Sequence, residues 1–194
     1  RKYFYGMVQG YRNSSVDTDF GSFFHYGRET FDKEFHATNG DVEASLLEAI
    51  KATLIQSHGW EREGADKAKT RRTLIRGLIW AVEDLGTNLR PIVLPSGKLA
   101  IELSFVLPLD LKSPYGEDYL ICGYLDGLTE YEGAALVIER KTTKAHVKSK
   151  QYAQQFNPDT QTSMYALASD LLYGRQLRTA GVLVESFQTG VGFA

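Results

Sequence analysis

Apolar residues recur through the first half of the chain at the three-to-four spacing of helices that bury one stripe. From about Asp19, the residues Phe20, Phe23, Phe24, Gly27, Phe31 and Phe35 form such a stripe, with Asp17 or Asp19 placed to cap the helix. Thr38-Asn-Gly-Asp41 breaks the chain and caps a second helix, about Val42 to Gln56, with Leu46, Leu47, Ile50 and Leu54 expected inward and His58-Gly59 ending it. A third helix is expected from about Ala65 to Leu85, carrying Leu74, Leu78, Ile79, Val82 and Leu85 on one side, with Gly86 as its C-terminal cap. Tyr3 to Tyr11 is aromatic and supports no assignment.

After Leu89-Arg-Pro91 the period becomes two. Ile92 to Leu94 and Leu99 to Leu107 read as a hairpin around Pro95-Ser-Gly97, and Lys112 to Gly116 as a loop. Tyr119 to Leu125 is nearly continuously apolar, as expected of a central strand covered on both faces. A turn at Thr129 to Gly133 leads to a strand from Ala134 to Glu139, and a basic loop runs from Lys144 to Lys150. Asn157 as cap and Pro158 in the first turn open a last helix to Tyr173, stopped by Gly174, with Met164, Leu167, Ala168 and Leu171 expected in the core. Ala180 to Gln188 is the last strand. This order predicts an α/β fold: one domain over 1–194, a mixed central β-sheet flanked by helices, and a helical insertion at about 38–88 between the first helix and the sheet.

Composition narrows the class. A formal charge of −2, with 43% hydrophobic and 24% charged residues, is ordinary for a globular domain, so any nucleic-acid surface must come from local clustering. The one cysteine, Cys122, excludes an intrachain disulfide or a four-cysteine metal site, and its apolar surroundings predict a buried thiol. No apolar run reaches the roughly 18 residues of a membrane span, and no secretory signal opens the chain. The expectation is a cytoplasmic-type domain, and the abrupt ends read as those of a piece of a longer protein.

The chemistry concentrates at Gly123-Tyr-Leu-Asp126-Gly127 and Val137-Ile-Glu139-Arg-Lys141-Thr142. Glu139 and Lys141, two apart on a strand, share a face, and a neighbouring strand brings Asp126 beside them. Crowded carboxylates raise each other's pKa unless a cation sits between them, and a hard divalent ion suits that place. Such a group suits phosphodiester hydrolysis. The other reading is a salt bridge between strands. Two further features stay open on residues alone. His25 is either a half-exposed helix histidine or a ligand. The run Arg62, Lys67, Lys69, Arg71, Arg72 and Arg76 is either a solvated helix face or a phosphate-contacting patch. Trp60 and Trp80 flank that run: Trp80 is expected in the core, and Trp60 is expected to pack, with stacking on a base as its other reading.

Four motifs occur in order: Gly21-Ser-Phe-Phe-His25, Gly123-Tyr-Leu-Asp126-Gly127, Glu139-Arg-Lys141-Thr142-Thr143 and Gln161-Thr-Ser-Met-Tyr165. Together they resemble the PD-(D/E)xK nuclease superfamily, in particular its RecB-like and phage exonuclease branch. The resemblance implies a restriction-endonuclease-like core and a Mg²⁺- or Mn²⁺-dependent deoxyribonuclease. Within it, Asp126 and Glu139 would be metal ligands with the Arg140 backbone carbonyl, Lys141 the catalytic lysine, and His25 an additional ligand. Gln161 and Tyr165 would steady the site and contact the DNA backbone. Glu102 lies on a strand where relatives often carry an acid, and a half-exposed strand glutamate is its other reading. The insertion would cover the site and guide a strand along Arg71, Arg72 and Arg76.

Relatives with an iron–sulfur cluster need flanking cysteines, and Cys122 alone cannot supply one. Helicase motifs are missing, so the resemblance leaves open whether the domain works alone or with a helicase, recombinase or CRISPR partner. Nothing resembles a base-reading module, which favours an exonuclease over a sequence-specific endonuclease. The alternative is a non-catalytic nucleic-acid-binding or assembly module that keeps the fold; the presence of Asp126, Glu139 and Lys141 together weighs against it.

Overall fold

Three helices precede a five-stranded sheet in the computed structural model, which describes residues 15–60, 68–157, 159–174 and 179–190. The Tyr3 to Tyr11 stretch, Arg62, Lys67 and Pro158 lie outside these. Helix α1 spans Val16–Ala37 and starts before the expected Asp19, because Ser15 is its cap and accepts the Thr18 N–H. Asp17 and Asp19 instead occupy the first turn, where carboxylates complement the helix dipole. Phe20, Phe24, Gly27 and Phe31 are buried along the predicted stripe.

Helix α2, Val42–Gln56, has the expected bounds and its cap at Asp41, and Leu46 and Ile50 pack against the core as expected, but its inward face is rotated. Ser45, Ala49 and Thr53 are buried, whereas Leu47 and Leu54 are exposed. Close approach of α1 explains the rotation: a Cβ on Gly27 would lie 2.5 Å from the Thr53 hydroxyl, so only small side chains fit between the axes. Helix α3 is shorter than expected, Arg71–Ala81, and begins at Thr70 with a reciprocal capping box to Thr73. It continues into one π-helical turn, Val82–Gly86. Trp60 packs against Phe20 and Phe23 as expected, but Trp80 is exposed rather than core.

Strands β1 (Arg90–Pro91), β2 (Ile101–Lys112), β3 (Asp118–Tyr131), β4 (Ala134–Thr143) and β5 (Thr179–Gln188) form one mixed sheet. Strand β3 is its hub, antiparallel to β1, β2 and β4, and β4 pairs in parallel with β5. The expected 92–107 hairpin reduces to one bridge, Val93 with Leu99, because β2 finds its partner in β3 instead. The first half of β3 also departs from expectation. It extends with β2 as a two-stranded arm, so Leu120, Cys122 and Tyr124 are exposed rather than sandwiched. The second half is central, with Leu125 and Leu128 fully buried.

After β4 come α4, Lys150–Gln154, which begins at the last residue of the expected loop and was not predicted, and α5, Thr160–Tyr173. Asp159, not Asn157, caps α5 by accepting the Thr162 N–H. Ala168 enters the core as predicted, while Leu167 and Leu171 are exposed. The helix makes the crossover between β4 and β5, as parallel strands require. Alternation along β4 then divides its side chains. Val137, Glu139 and Lys141 point towards α5, while Ile138, Arg140 and Thr142 point towards α1.

Candidate active site

The site forms where two strands part. β3 and β4 are paired from Tyr131 and Ala134 to Gly127 and Ile138, and the ladder then stops. The next backbone groups of β4 on that side belong to Arg140, and without a strand partner they need others. Asp126 supplies one: the Arg140 N–H donates to its Oδ2 at 2.6 Å. His25, arriving on α1, supplies the other: Nε2 lies 2.9 Å from the Arg140 carbonyl oxygen. Its Nδ1 is 3.2 Å from Asp126 Oδ1. A carbonyl can only accept, so Nε2 carries a proton, and the imidazole bridges two oxygens.

Glu102 completes the group from β2. His25, Glu102 and Asp126 each offer a ligand atom, and these atoms all lie within 4.8 Å of one another. The neighbouring pairs Ile101–Gly127 and Leu103–Leu125 set Glu102 opposite Asp126. Its backbone is left-handed, with φ of 48°, a conformation uncommon outside glycine and a local departure from strand geometry beside the site.

On the α5 side, Glu139 is almost fully buried and Lys141 half-exposed, and the two are in direct contact. Gln161 holds both: its Oε1 accepts from Lys141 Nζ at 2.8 Å, and its Nε2 donates to Glu139 Oε1 at 3.1 Å. The same Nε2 donates to the Tyr165 hydroxyl at 2.8 Å. Four-residue spacing on α5 places Gln161 and Tyr165 together, as the helix period predicts.

Electrostatics distinguishes the acids. Burial pushes the Asp126 carboxyl up, but the His25 hydrogen bond and charge, helped by Arg140, hold it below the usual carboxylate value. Burial pulls His25 down, and the hydrogen bond and charge of Asp126 outweigh it, so the imidazole ends above its ordinary value. Glu102 and Glu139 are both raised, first by burial and then by the charge of Asp126; Lys141 offsets part of this at Glu139. The cluster is short of positive charge. An imidazole, carboxylates and a backbone carbonyl form a hard, oxygen-rich donor set that fits a divalent cation such as Mg²⁺ or Mn²⁺.

A cavity of about 660 Å³ opens beside this group, lined by His25 and Glu102 with Phe23, Tyr26 and Tyr124 among its walls. Among the described residues, Lys69, Arg71, Arg72 and Arg76 do not line it. Lys69 is buried under Phe20 and pairs with Asp17 at 2.9 Å. Arg71 donates to the Leu54 carbonyl at 3.0 Å and to Ser57 at 3.3 Å, tying α3 to the end of α2. Arg72 is exposed and Arg76 half-buried on α3.

One group escaped the sequence reading. The side chain of Arg140, pointing away from Glu139 and Lys141, is buried between Asp32 of α1 at 2.7 Å and Glu185 of β5 at 2.9 Å, with Arg28 alongside. Arg28 within the aromatic stripe and Glu185 within Val182-Leu-Val-Glu were the available signals: charges at positions whose period marks them as inward.

Comparison with curated proteins finds no match. The sequence profile of the PD-(D/E)XK nuclease superfamily matches residues 1–188, nearly the whole chain, and the mixed sheet with flanking helices agrees with that fold. Members of that superfamily act on nucleic acid with divalent metals. The chain belongs to the PD-(D/E)XK nuclease superfamily.

Proposed function

We propose that this chain is a divalent-metal-dependent deoxyribonuclease of the RecB-like branch, an exonuclease acting in DNA repair, recombination or phage DNA processing. The observation that carries the reading is the meeting of Asp126 and His25 on the Arg140 peptide, with Glu102 within reach and Glu139–Lys141 beside it. A non-catalytic module would have no need to bury Glu139 against a lysine at the edge of such a cluster.

His25, Asp126, Glu139 and the Arg140 carbonyl would hold the cation, with Glu102 adjoining. When bound, the cation polarises the phosphoryl oxygen and eases deprotonation of water. The remaining work falls to protein groups. Lys141 Nζ spends two of its three N–H bonds on Glu139 and Gln161, which leaves one for the half-open side of the site. There it orients the attacking water and complements the charge that builds on the phosphate oxygens. Gln161 selects one orientation for Lys141, because its amide oxygen faces the ammonium while its nitrogen is committed to Glu139 and Tyr165. The Tyr165 hydroxyl accepts from Gln161 and keeps its own proton free to donate to a backbone phosphate. Exposed Arg72, with Arg71 and Arg76 on the same helix, would contact the strand further along.

The test is digestion of end-labelled linear and circular DNA with Mg²⁺, Mn²⁺ or EDTA. Metal-dependent loss of linear molecules with circles intact supports the exonuclease; cleavage of circles replaces it with an endonuclease; no metal-dependent cleavage of either ends the reading.

A further inference from the structure

Position 140 is held from four directions. Its N–H meets Asp126 and its carbonyl meets His25, while its side chain reaches the other face of the sheet, with Nη2 on Asp32 and Nε on Glu185. We propose that Arg140 is a positioning residue: its clamped guanidinium sets the location of the Arg140 carbonyl and, through α1, of His25. For metal binding the proposal rests on the nuclease reading above; the placement of His25 does not.

The need for such a clamp follows from the fold. Beyond Ile138, β4 has lost β3 as a partner, so on that side no ladder fixes the Arg140 peptide. On the other side β5 continues alongside, with Arg140 opposite Glu185. The guanidinium uses that alignment to grip the sheet and reaches across to α1. Asp32 lies seven residues after His25, two helical turns, so both project from the same side of α1. One residue therefore ties β4 to the helix at two points: at Asp32 through its side chain and at His25 through its carbonyl. A guanidinium presents donors in a rigid fork, whereas lysine offers one point charge and cannot hold Asp32 and Glu185 in the same fixed geometry.

Arg28 plays another part. It is fully buried, none of its three nitrogens has a hydrogen-bond partner, and its Nη2 stands 3.9 Å from Asp32 and 3.8 Å from Glu185. Its guanidinium lies over the Phe31 ring, 5.6 Å from the centroid. At those distances it contributes charge rather than hydrogen bonds: with Asp32 and Glu185 facing Arg140, a second cation makes the group neutral. Buried ion pairs often stabilise no better than apolar residues of the same volume. Retaining this one beside a cation-seeking site is explained by the geometry it imposes on Arg140.

Arg140→Lys and Glu185→Gln in the whole chain separate positioning from stability. Both should melt cooperatively, at lower temperature than the wild type. Mn²⁺ affinity, followed by electron paramagnetic resonance of the free ion, should fall at least about tenfold in Arg140→Lys, the range for residues that orient ligands. It should stay within about twofold in Glu185→Gln, which keeps an acceptor for Arg140 Nε. In metal-free protein, the ¹⁵N–¹H imidazole spectrum should show the Nε2–H of His25 displaced in Arg140→Lys alone. The proposal is overturned if Arg140→Lys keeps wild-type Mn²⁺ affinity and imidazole shifts, or if both variants lose affinity in proportion to melting temperature. Should the wild type bind no Mn²⁺, the metal reading fails, and the imidazole spectrum alone decides whether Arg140 positions His25. Should Arg140→Lys fail to fold, Asp32→Ala, which removes the acceptor for Nη2, takes its place beside Glu185→Gln: a displaced His25 Nε2–H with weakened Mn²⁺ binding in Asp32→Ala alone supports the proposal, and wild-type values of both overturn it.

Discussion

Two groups of charges adjoin at β4 and differ in how they are balanced. Arg28, Asp32, Arg140 and Glu185 are all buried, two cations against two anions, with no charge left over. His25, Glu102, Asp126 and Lys141 are partly open around the buried Glu139, and two of the three acids are held above their ordinary pKa. The closed group has every charge it needs, and the open one is short of a cation. Neighbouring residues of one strand feed both: Arg140 the first, Glu139 and Lys141 the second. A single alternation of side chains thus separates the closed group from the open one.

The largest effect should come from removing a ligand from the open group. Asp126→Asn keeps the volume but cannot carry the charge that His25 and a cation need. Its cleavage rate on linear DNA should fall by about 10²–10³ or more, the scale for losing one group that stabilises transition-state charge. Retention of more than a tenth of the rate would place the centre elsewhere. In the closed group, Arg28→Ala leaves Asp32 and Glu185 undercompensated in the interior, and denaturant melts should show a loss of about 3–5 kcal/mol. A loss below about 1 kcal/mol would mean that water reaches the quartet. Smaller again is Gly27→Ala, which drives a methyl to 2.5 Å from Thr53 Oγ1 where α1 and α2 meet; overpacking of this kind costs about 1–3 kcal/mol. Pairing it with Thr53→Ala should recover part of the loss.

The smallest effect is a pH dependence confined to the open group. In metal-free protein His25 has a raised pKa, so its pairing stabilises the fold fully below its ordinary 6.5 and is lost as pH rises through the folded-state value. Asp126 is lowered, and its contribution is present above 3.8 and lost as pH falls through its folded-state value. Glu102 and Glu139 are raised, so they cost stability once pH exceeds their ordinary 4.5. Melting temperature in EDTA should therefore decline as pH rises above His25's ordinary 6.5. His25→Gln should flatten that decline; an unchanged slope would mean that another group titrates.

Much of the open group was legible because strand and helix periods project it directly. Two-residue spacing joins Glu139 to Lys141 and four-residue spacing joins Gln161 to Tyr165, whereas the register that brings Glu102 opposite Asp126 belongs to a β2–β3 pairing that was not foreseen. The closed group was not legible in this way. A charge within an apolar period reads as a surface residue until its partner is known, and Asp32 and Arg140 are 108 residues apart. Leu47, Leu54, Leu167 and Leu171 failed for a related reason. Small residues such as Thr53 and Ala168 set how closely helices approach, and the larger side chains are turned aside. Cys122 and Tyr124 were misplaced because an apolar run does not say whether a strand lies between layers or extends beyond them.

The central claim is that the open group is a metal-dependent hydrolytic centre in which Lys141 acts beside a bound cation. Single-turnover cleavage of linear DNA by the wild type and Lys141→Ala, each with Mg²⁺, Mn²⁺ and EDTA, tests it most directly. The account predicts metal-dependent cleavage by the wild type, none in EDTA, and at least about a hundredfold loss in Lys141→Ala at unchanged melting temperature. Equal behaviour of the two proteins under every condition would contradict it.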